Sequence, residues 1–93
     1  LVGAAKYSAM GDAYVELGEL EEAVEAYRTG IDKYENDFSS PILLKKLGII
    51  YEEMGQYGQA LEAYRAIQTT YPDTPEGREI KKYIGRVEIM LST

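Results

Sequence analysis

The chain has no cysteine, no histidine and no tryptophan. Without thiols there is no disulfide framework and no thiolate metal site. Without imidazole as well, Ser-His-Asp triads, Cys-His pairs and histidine metal sites are excluded. Long apolar runs are also missing. Runs such as Ile49-Ile50-Tyr51 stop at three residues, far short of the roughly 20 that cross a bilayer as a helix. The nine glycines all stand singly, so no glycine-rich loop offers itself to a phosphate. No stretch alternates oxygen ligands about a glycine turn as a calcium loop does. The neighbouring carboxylates Glu21-Glu22 and Glu52-Glu53 would point about 100° apart on a helix and do not converge. These absences predict a chain that is not an enzyme and needs no cofactor and no metal.

Basic residues are few: 10 against 16 acids, a net charge of −6. The imbalance is local, since residues 1–40 carry −6, residues 41–74 carry −1 and residues 75–93 carry +1. An acidic first half opposes binding to a nucleic-acid backbone or to an anionic membrane surface. No signal peptide opens the sequence and no methionine starts it. Leu1 therefore reads as an excision point, and the chain as the C-terminal part of a longer protein.

What the sequence does contain is said twice. Gly11-Asp-Ala-Tyr14-Val-Glu-Leu-Gly18, followed by Ala23 and Tyr27-Arg28, returns as Gly48-Ile-Ile-Tyr51-Glu-Glu-Met-Gly55, followed by Ala60 and Tyr64-Arg65. Residues 11–37 and 48–74 agree without a gap at ten of 27 positions. A repeat of about this length marks a stacked array, in which one unit cannot bury its own apolar face. Function must then be read from the surface that stacking creates.

Periodicity places five helices. The first runs from about Ala4 to Leu17 on the stripe Tyr7, Met10, Gly11, Tyr14, Leu17, and Gly18 ends it. The second, about Leu20–Tyr34, has Glu19, Glu21 and Glu22 around its first turn, where carboxylates meet unpaired N–H groups. Asn36–Ser40 is a loop in which Ser40 caps and Pro41 opens the third helix, with Phe38 tucked onto the core. That helix, Pro41–Met54, is striped by Leu44, Leu47, Gly48 and Tyr51. The fourth, about Tyr57–Thr70, carries Ala60, Leu61, Tyr64, Ile67 and, just past its end, Tyr71. Thr74 and Pro75 open the fifth, which reaches Leu91 on Ile80, Tyr83, Ile84 and Val87. Its other face is densely polar, as an array's final helix should be.

Tyr7-x-x-Met10-Gly11-x-x-Tyr14 with Gly18, Ala23 and Tyr27, and Leu44-x-x-Leu47-Gly48-x-x-Tyr51 with Gly55, Ala60, Tyr64 and Pro72, resemble the tetratricopeptide repeat (TPR). The likeness spans about residues 4–74. It departs at Gly30 (usually Ala), at Glu35 (usually the closing Pro) and in a spacing of 37 where about 34 is usual. It implies an all-α solenoid forming a single domain over residues 1–93. Repeat one would occupy about 4–37, a connecting loop 38–40, repeat two about 41–74 and a capping helix about 75–91. The segment from Tyr71 to Ile84 is similar to the bacterial envelope-associated branch, which includes the Tol–Pal coordinator and membrane-anchored TPR proteins of Bacteroidetes. That likeness implies a periplasm-facing setting; the cytoplasm is the alternative.

The resemblance further implies a concave groove, lined by the first helix of each pair, that accepts a peptide or helix of a partner protein. Helical phase puts Ser8, Asp12 and Val15 there in the first repeat and Ile42, Lys45, Ile49 and Glu52 in the second, with Lys81 supplied by the fifth helix. Ile42 and Ile49, seven residues apart, form an apolar pair off the stripe. They either face a ligand or pack as core against the first or fifth helix. With only Lys45 and Lys81 positive, the groove is unlike arrays that clamp a chaperone's C-terminal carboxylate. The leading expectation is a scaffold or adaptor module. The alternative is a structural end segment of a longer solenoid whose binding surface lies upstream. In that case the exposed seam on helix one, with small Ala9 and Ala13, would make the chain self-associate or leave it less stable than the longer protein.

Overall fold

The computed structural model describes residues 3–93, which form α1 (Ala4–Glu16), α2 (Leu20–Lys33), α3 (Ser39–Glu53), α4 (Tyr57–Thr70) and α5 (Pro75–Ser92). No strand occurs among the described residues. The helices zigzag between two layers. α1, α3 and α5 lie side by side in one layer, while α2 and α4 sit in the other and do not meet each other. The result is a slab of 39 × 31 × 16 Å.

Each hairpin turns on one glycine. Gly18 and Gly55 take φ of +77° and +74°, a left-handed conformation that a side chain would strain. In the first turn Gly18 N–H donates to the Val15 carbonyl at 3.0 Å and Glu19 N–H to that of Tyr14 at 2.9 Å. In the second, Gly55 N–H reaches Glu52 at 3.0 Å and Gln56 N–H reaches Tyr51 at 2.8 Å. This is the Schellman arrangement, which satisfies carbonyls that a helix end leaves free. Glu19 and Gln56 then accept the first N–H bond of the next helix, from Ala23 at 3.1 Å and from Ala60 at 3.0 Å. One residue closes one helix and opens the next, so the pair must run antiparallel.

The helices of a pair touch where the side chain is smallest. A Cβ placed at Gly11 would stand 2.2 Å from the Tyr27 ring, and one at Gly48 would stand 2.3 Å from the Tyr64 ring. Ala23 and Ala60 are completely buried beside them. Gly30 is explained in the same way: a Cβ there would meet Tyr7 at 2.9 Å and Leu43 at 3.1 Å. The missing proline at position 35 also has a reason. Glu35 accepts a hydrogen bond of 2.6 Å from the Tyr71 hydroxyl and ties the ends of the two hairpins together.

Five expectations are corrected. Phe38 is not tucked onto the core; it is 80% exposed. Ser39 and Ser40 are helical, so the predicted 38–40 loop lies instead just after α2. Ser40 is not the cap either. The Asn36 carboxamide oxygen takes the Phe38 and Ser39 N–H groups at 2.9 and 2.7 Å, while Ser40 Oγ takes Asn36 N–H at 3.0 Å. These bonds order the turn that leads into α3, which starts at Ser39, upstream of Pro41, with Phe38 in the cap position. Finally, a single stripe under-describes α3. Leu43 and Ile50, left out of it, are buried, because α3 is packed by α2 as well as by α4. The opposite holds for α1, where Met10 and Leu17 of the predicted stripe are exposed, no helix preceding it among the described residues. The α5 expectations of Thr74 as cap and Pro75 in first place hold, with Thr74 Oγ1 accepting Gly77 N–H at 3.1 Å.

Gly85 follows Gly48 by the same 37 residues, but no helix lies over it and nothing stands within 4 Å of a Cβ placed there. Equivalent positions should therefore respond with opposite signs. Gly48→Ala should destabilise by about 1–3 kcal/mol through overpacking, and Gly85→Ala should stabilise by about 0.5–1 kcal/mol through helix propensity. Thermal melts followed by circular dichroism read both, and equal shifts in one direction would contradict the assignment.

Candidate functional site

The face built by α1, α3 and α5 carries the residues that the sequence points to, and it is laced by ion pairs. Lys46 Nζ donates to both Asp12 oxygens at 3.0 and 2.8 Å and to Ser8 Oγ at 3.0 Å, joining α3 to α1. Glu52 receives Arg86 Nε and Nη2 at 3.0 and 2.7 Å, joining α3 to α5. Lys45 pairs with Glu79 on the same side. All three pairs are separated by 34 residues, one helical turn less than the sequence repeat of 37. Neighbouring first helices are thus offset by about one turn, so residue i meets residue i+34. Partly exposed pairs of this kind contribute only about 0–1 kcal/mol each. Their effect is to fix the register of the three helices.

The same carboxylates anchor the buried tyrosines. Tyr27 hydroxyl donates to Asp12 at 2.6 Å and Tyr64 hydroxyl to Glu52 at 2.5 Å. Each hairpin's closing tyrosine is therefore linked through an acid to a cation on the following helix. Burial, and then the hydrogen bond to Asp12 or Glu52, pushes both phenols well above their ordinary range. Partial burial pulls the Asp12 carboxyl upward, yet the Lys46 and Tyr27 hydrogen bonds outweigh it and leave Asp12 below the usual carboxylate value. On α5, Tyr83 has Lys45 Nζ 4.8 Å and the Arg86 guanidinium 4.9 Å from its ring centre, close enough for cation–π attraction.

The Lys46 bridge divides the α1/α3 face into two hollows. One, of about 360 Å³, is lined by Ala5, Ser8, Phe38, Ile42 and Leu43 among others. The other, of about 380 Å³, is lined by Asp12, Val15, Tyr27, Lys46, Ile49 and Ile50, with Glu16 at its edge. Of the expected residues, Ser8 and Ile42 come together in the first, and Asp12, Val15 and Ile49 in the second. Ile42 is half-buried and Ile49 is 37% exposed, so neither is core. Lys45 and Glu52 lie on the α3/α5 side, already paired. Lys81 is exposed on α5 and lines neither hollow. Sequence reasoning missed Lys46, Phe38, Tyr83 and Arg86. The opposite charges recurring 34 apart were a signal that could have found two of them.

Among the described residues no group of three potential metal-ligating side chains occurs, and no helix is long and apolar enough to cross a membrane. Glycine-hinged antiparallel hairpins in two layers, stitched at a 34-residue spacing, define a helical-hairpin repeat array. The tetratricopeptide repeat profile matches residues 8–75, and the chain belongs to the tetratricopeptide repeat family. That match is to the family at large and does not single out the envelope-associated branch. Comparison with curated proteins gives no match. Tetratricopeptide repeats are non-catalytic modules that generally mediate protein–protein interaction and scaffolding.

The two tyrosines make the fold sensitive to alkali. Their folded-state ionisation lies above the unfolded value near 10, so their contribution is complete below about pH 10 and is lost as pH rises beyond it. Between about pH 9 and 11 the melting temperature of the native chain should fall more steeply than that of a Tyr27→Phe/Tyr64→Phe variant. Parallel curves would show that the hydroxyl–carboxylate links carry no such linkage.

Proposed function

We propose that the α1/α3/α5 face is a groove that binds a segment of a partner protein, in a scaffold or adaptor role. The observation that supports it is the pair of apolar hollows at Ile42 and Ile49, which a polar bridge separates. Seven residues along a helix rise about 10 Å, so the occupant needs two apolar side chains about that far apart. Two anchors at i and i+7 of a helix meet this spacing. The stretch between them faces the Asp12–Lys46 pair and should be polar. Because Asp12, Lys45 and Glu52 are committed to partners within the chain, they orient a ligand as a fixed charge pattern and supply little affinity. Affinity comes from burying Ile42, Val15 and Ile49, at about 25 cal/mol per Å² of apolar surface.

A second reading is the structural end segment of a longer solenoid, favoured by the exposure of Met10 and Leu17 on α1. Panning a display library of peptides on the native chain separates the two. Under the groove reading, selected peptides share two apolar residues at this spacing. Ile49→Asp should then abolish capture of those peptides with an unchanged melting curve, because a charge at a surface hollow costs the folded chain little but must lose hydration on binding. Ile42→Asp should weaken capture with some loss of stability, since Ile42 is half-buried. Undiminished capture by both folded variants would remove the groove and leave the spacer.

A further inference from the structure

The two hollows of the α1/α3 face differ in charge. Every residue lining the one at Ile42 is uncharged. The one at Ile49 is lined by two carboxylates, Asp12 and Glu16, against one ammonium, Lys46. Lys46 is committed to Asp12, with the two carboxylate oxygens at 3.0 and 2.8 Å from Nζ. That leaves Glu16. The 34-residue spacing that gives Asp12, Lys45 and Glu52 their partners matches Glu16 with Ile50, which is apolar and buried. Glu16 is exposed and has no ion pair among the described residues.

Its place on α1 sharpens the contrast. α2 follows the order that a helix dipole favours, with Glu21 and Glu22 in its first turn and Lys33 in its last. α1 reverses that order: Lys6 stands near its start and Glu16 closes it, with no acid in the first turn and no base in the last. α3 likewise ends on Glu52 and Glu53. An acid at that end lies against the negative pole of its own helix and costs the fold a little stability. Toward a ligand, however, side-chain charge and helix dipole add. The edge of the face at Ile49 is negative, whereas the edge at Ile42 lies at the positive ends of α1 and α3.

We infer that the groove selects the direction of its occupant and that Glu16 is the residue that reads it; this rests on the groove reading above. The partner is a helix running antiparallel to α1 and α3, with its positive N-terminal end beside Glu16. A lysine or arginine stands within one turn before the first of its two apolar anchors and meets the Glu16 carboxylate. That anchor fills the Ile49 hollow, and the second fills the hollow at Ile42. The parallel direction would set the negative end of the partner against Glu16 and against the ends of α1 and α3. An exposed pair adds little affinity. Its effect is on the choice among partners.

Two synthetic alanine–glutamine helices of identical composition, blocked at both ends, test this on the full chain. Each carries two leucines seven residues apart. One has a lysine four residues before the first leucine, and the other has it four residues after the second. The first should bind about three- to fivefold more tightly at low salt, and the preference should fade as salt rises. Glu16→Gln should remove most of the preference without lowering the melting temperature, a combination that a merely structural role for Glu16 would not give. A nitroxide at the N-terminus of the first peptide should broaden Val15 and Glu16 resonances more than those of Ala5 and Ser8. Equal binding of the two peptides, both abolished by Ile49→Asp, would leave the groove standing and overturn the inference, as would broadening centred on Ala5 and Ser8. Binding of neither peptide at millimolar concentration, or binding indifferent to Ile49→Asp, would overturn the groove and the inference together.

Discussion

The fold rests on the approach of a tyrosine ring to a glycine across each hairpin. Gly11 and Gly48 let the backbone of one helix come against Tyr27 and Tyr64 so closely that a methyl group would overlap the ring. A helix interior tolerates glycine at a cost of about 1 kcal/mol. Close-packed burial of a whole aromatic side chain outweighs that cost several times over. The ring in turn places its hydroxyl beside an acid of the same hairpin, and the acid draws in a lysine or arginine of the next first helix. One steric constraint inside the hairpin therefore sets an electrostatic register between hairpins.

That register is what gives the chain a surface. Lys46 and Arg86 do not merely neutralise Asp12 and Glu52; they hold α1, α3 and α5 at a one-turn offset. The hollows at Ile42 and Ile49 exist because the Lys46 bridge spans the gap between α1 and α3 at its middle and leaves apolar side chains on either side. Exposed ion pairs are weak in isolation, but three of them repeated at one spacing distinguish a single sliding position from its neighbours.

Much of this was legible in the chain. The internal repeat, the turn glycines and the aromatic stripes place all five helices to within about two residues, and Thr74-Pro75 marks the last helix correctly. What escaped depends on contacts between elements. Leu43 and Ile50 are core only because α3 has helices on two sides, a condition that one helical stripe does not express. Phe38 was assigned inward as an aromatic in a loop, yet the turn that Asn36 holds together leaves it exposed. Asp12, Lys45 and Glu52 were expected to meet a ligand. Each also has a partner 34 residues away within the chain, and phase within one helix cannot reveal pairing between two.

A double-mutant cycle at Gly48 and Tyr64 tests the central contact most directly. If the ring is what excludes a side chain at 48, then replacing Tyr64 with Leu should remove the penalty of an alanine there. The coupling between Gly48→Ala and Tyr64→Leu should then reach about 1–3 kcal/mol. Penalties that add to within about 0.5 kcal/mol would mean that the two positions do not constrain each other, and the close approach could no longer be the feature from which the array is built.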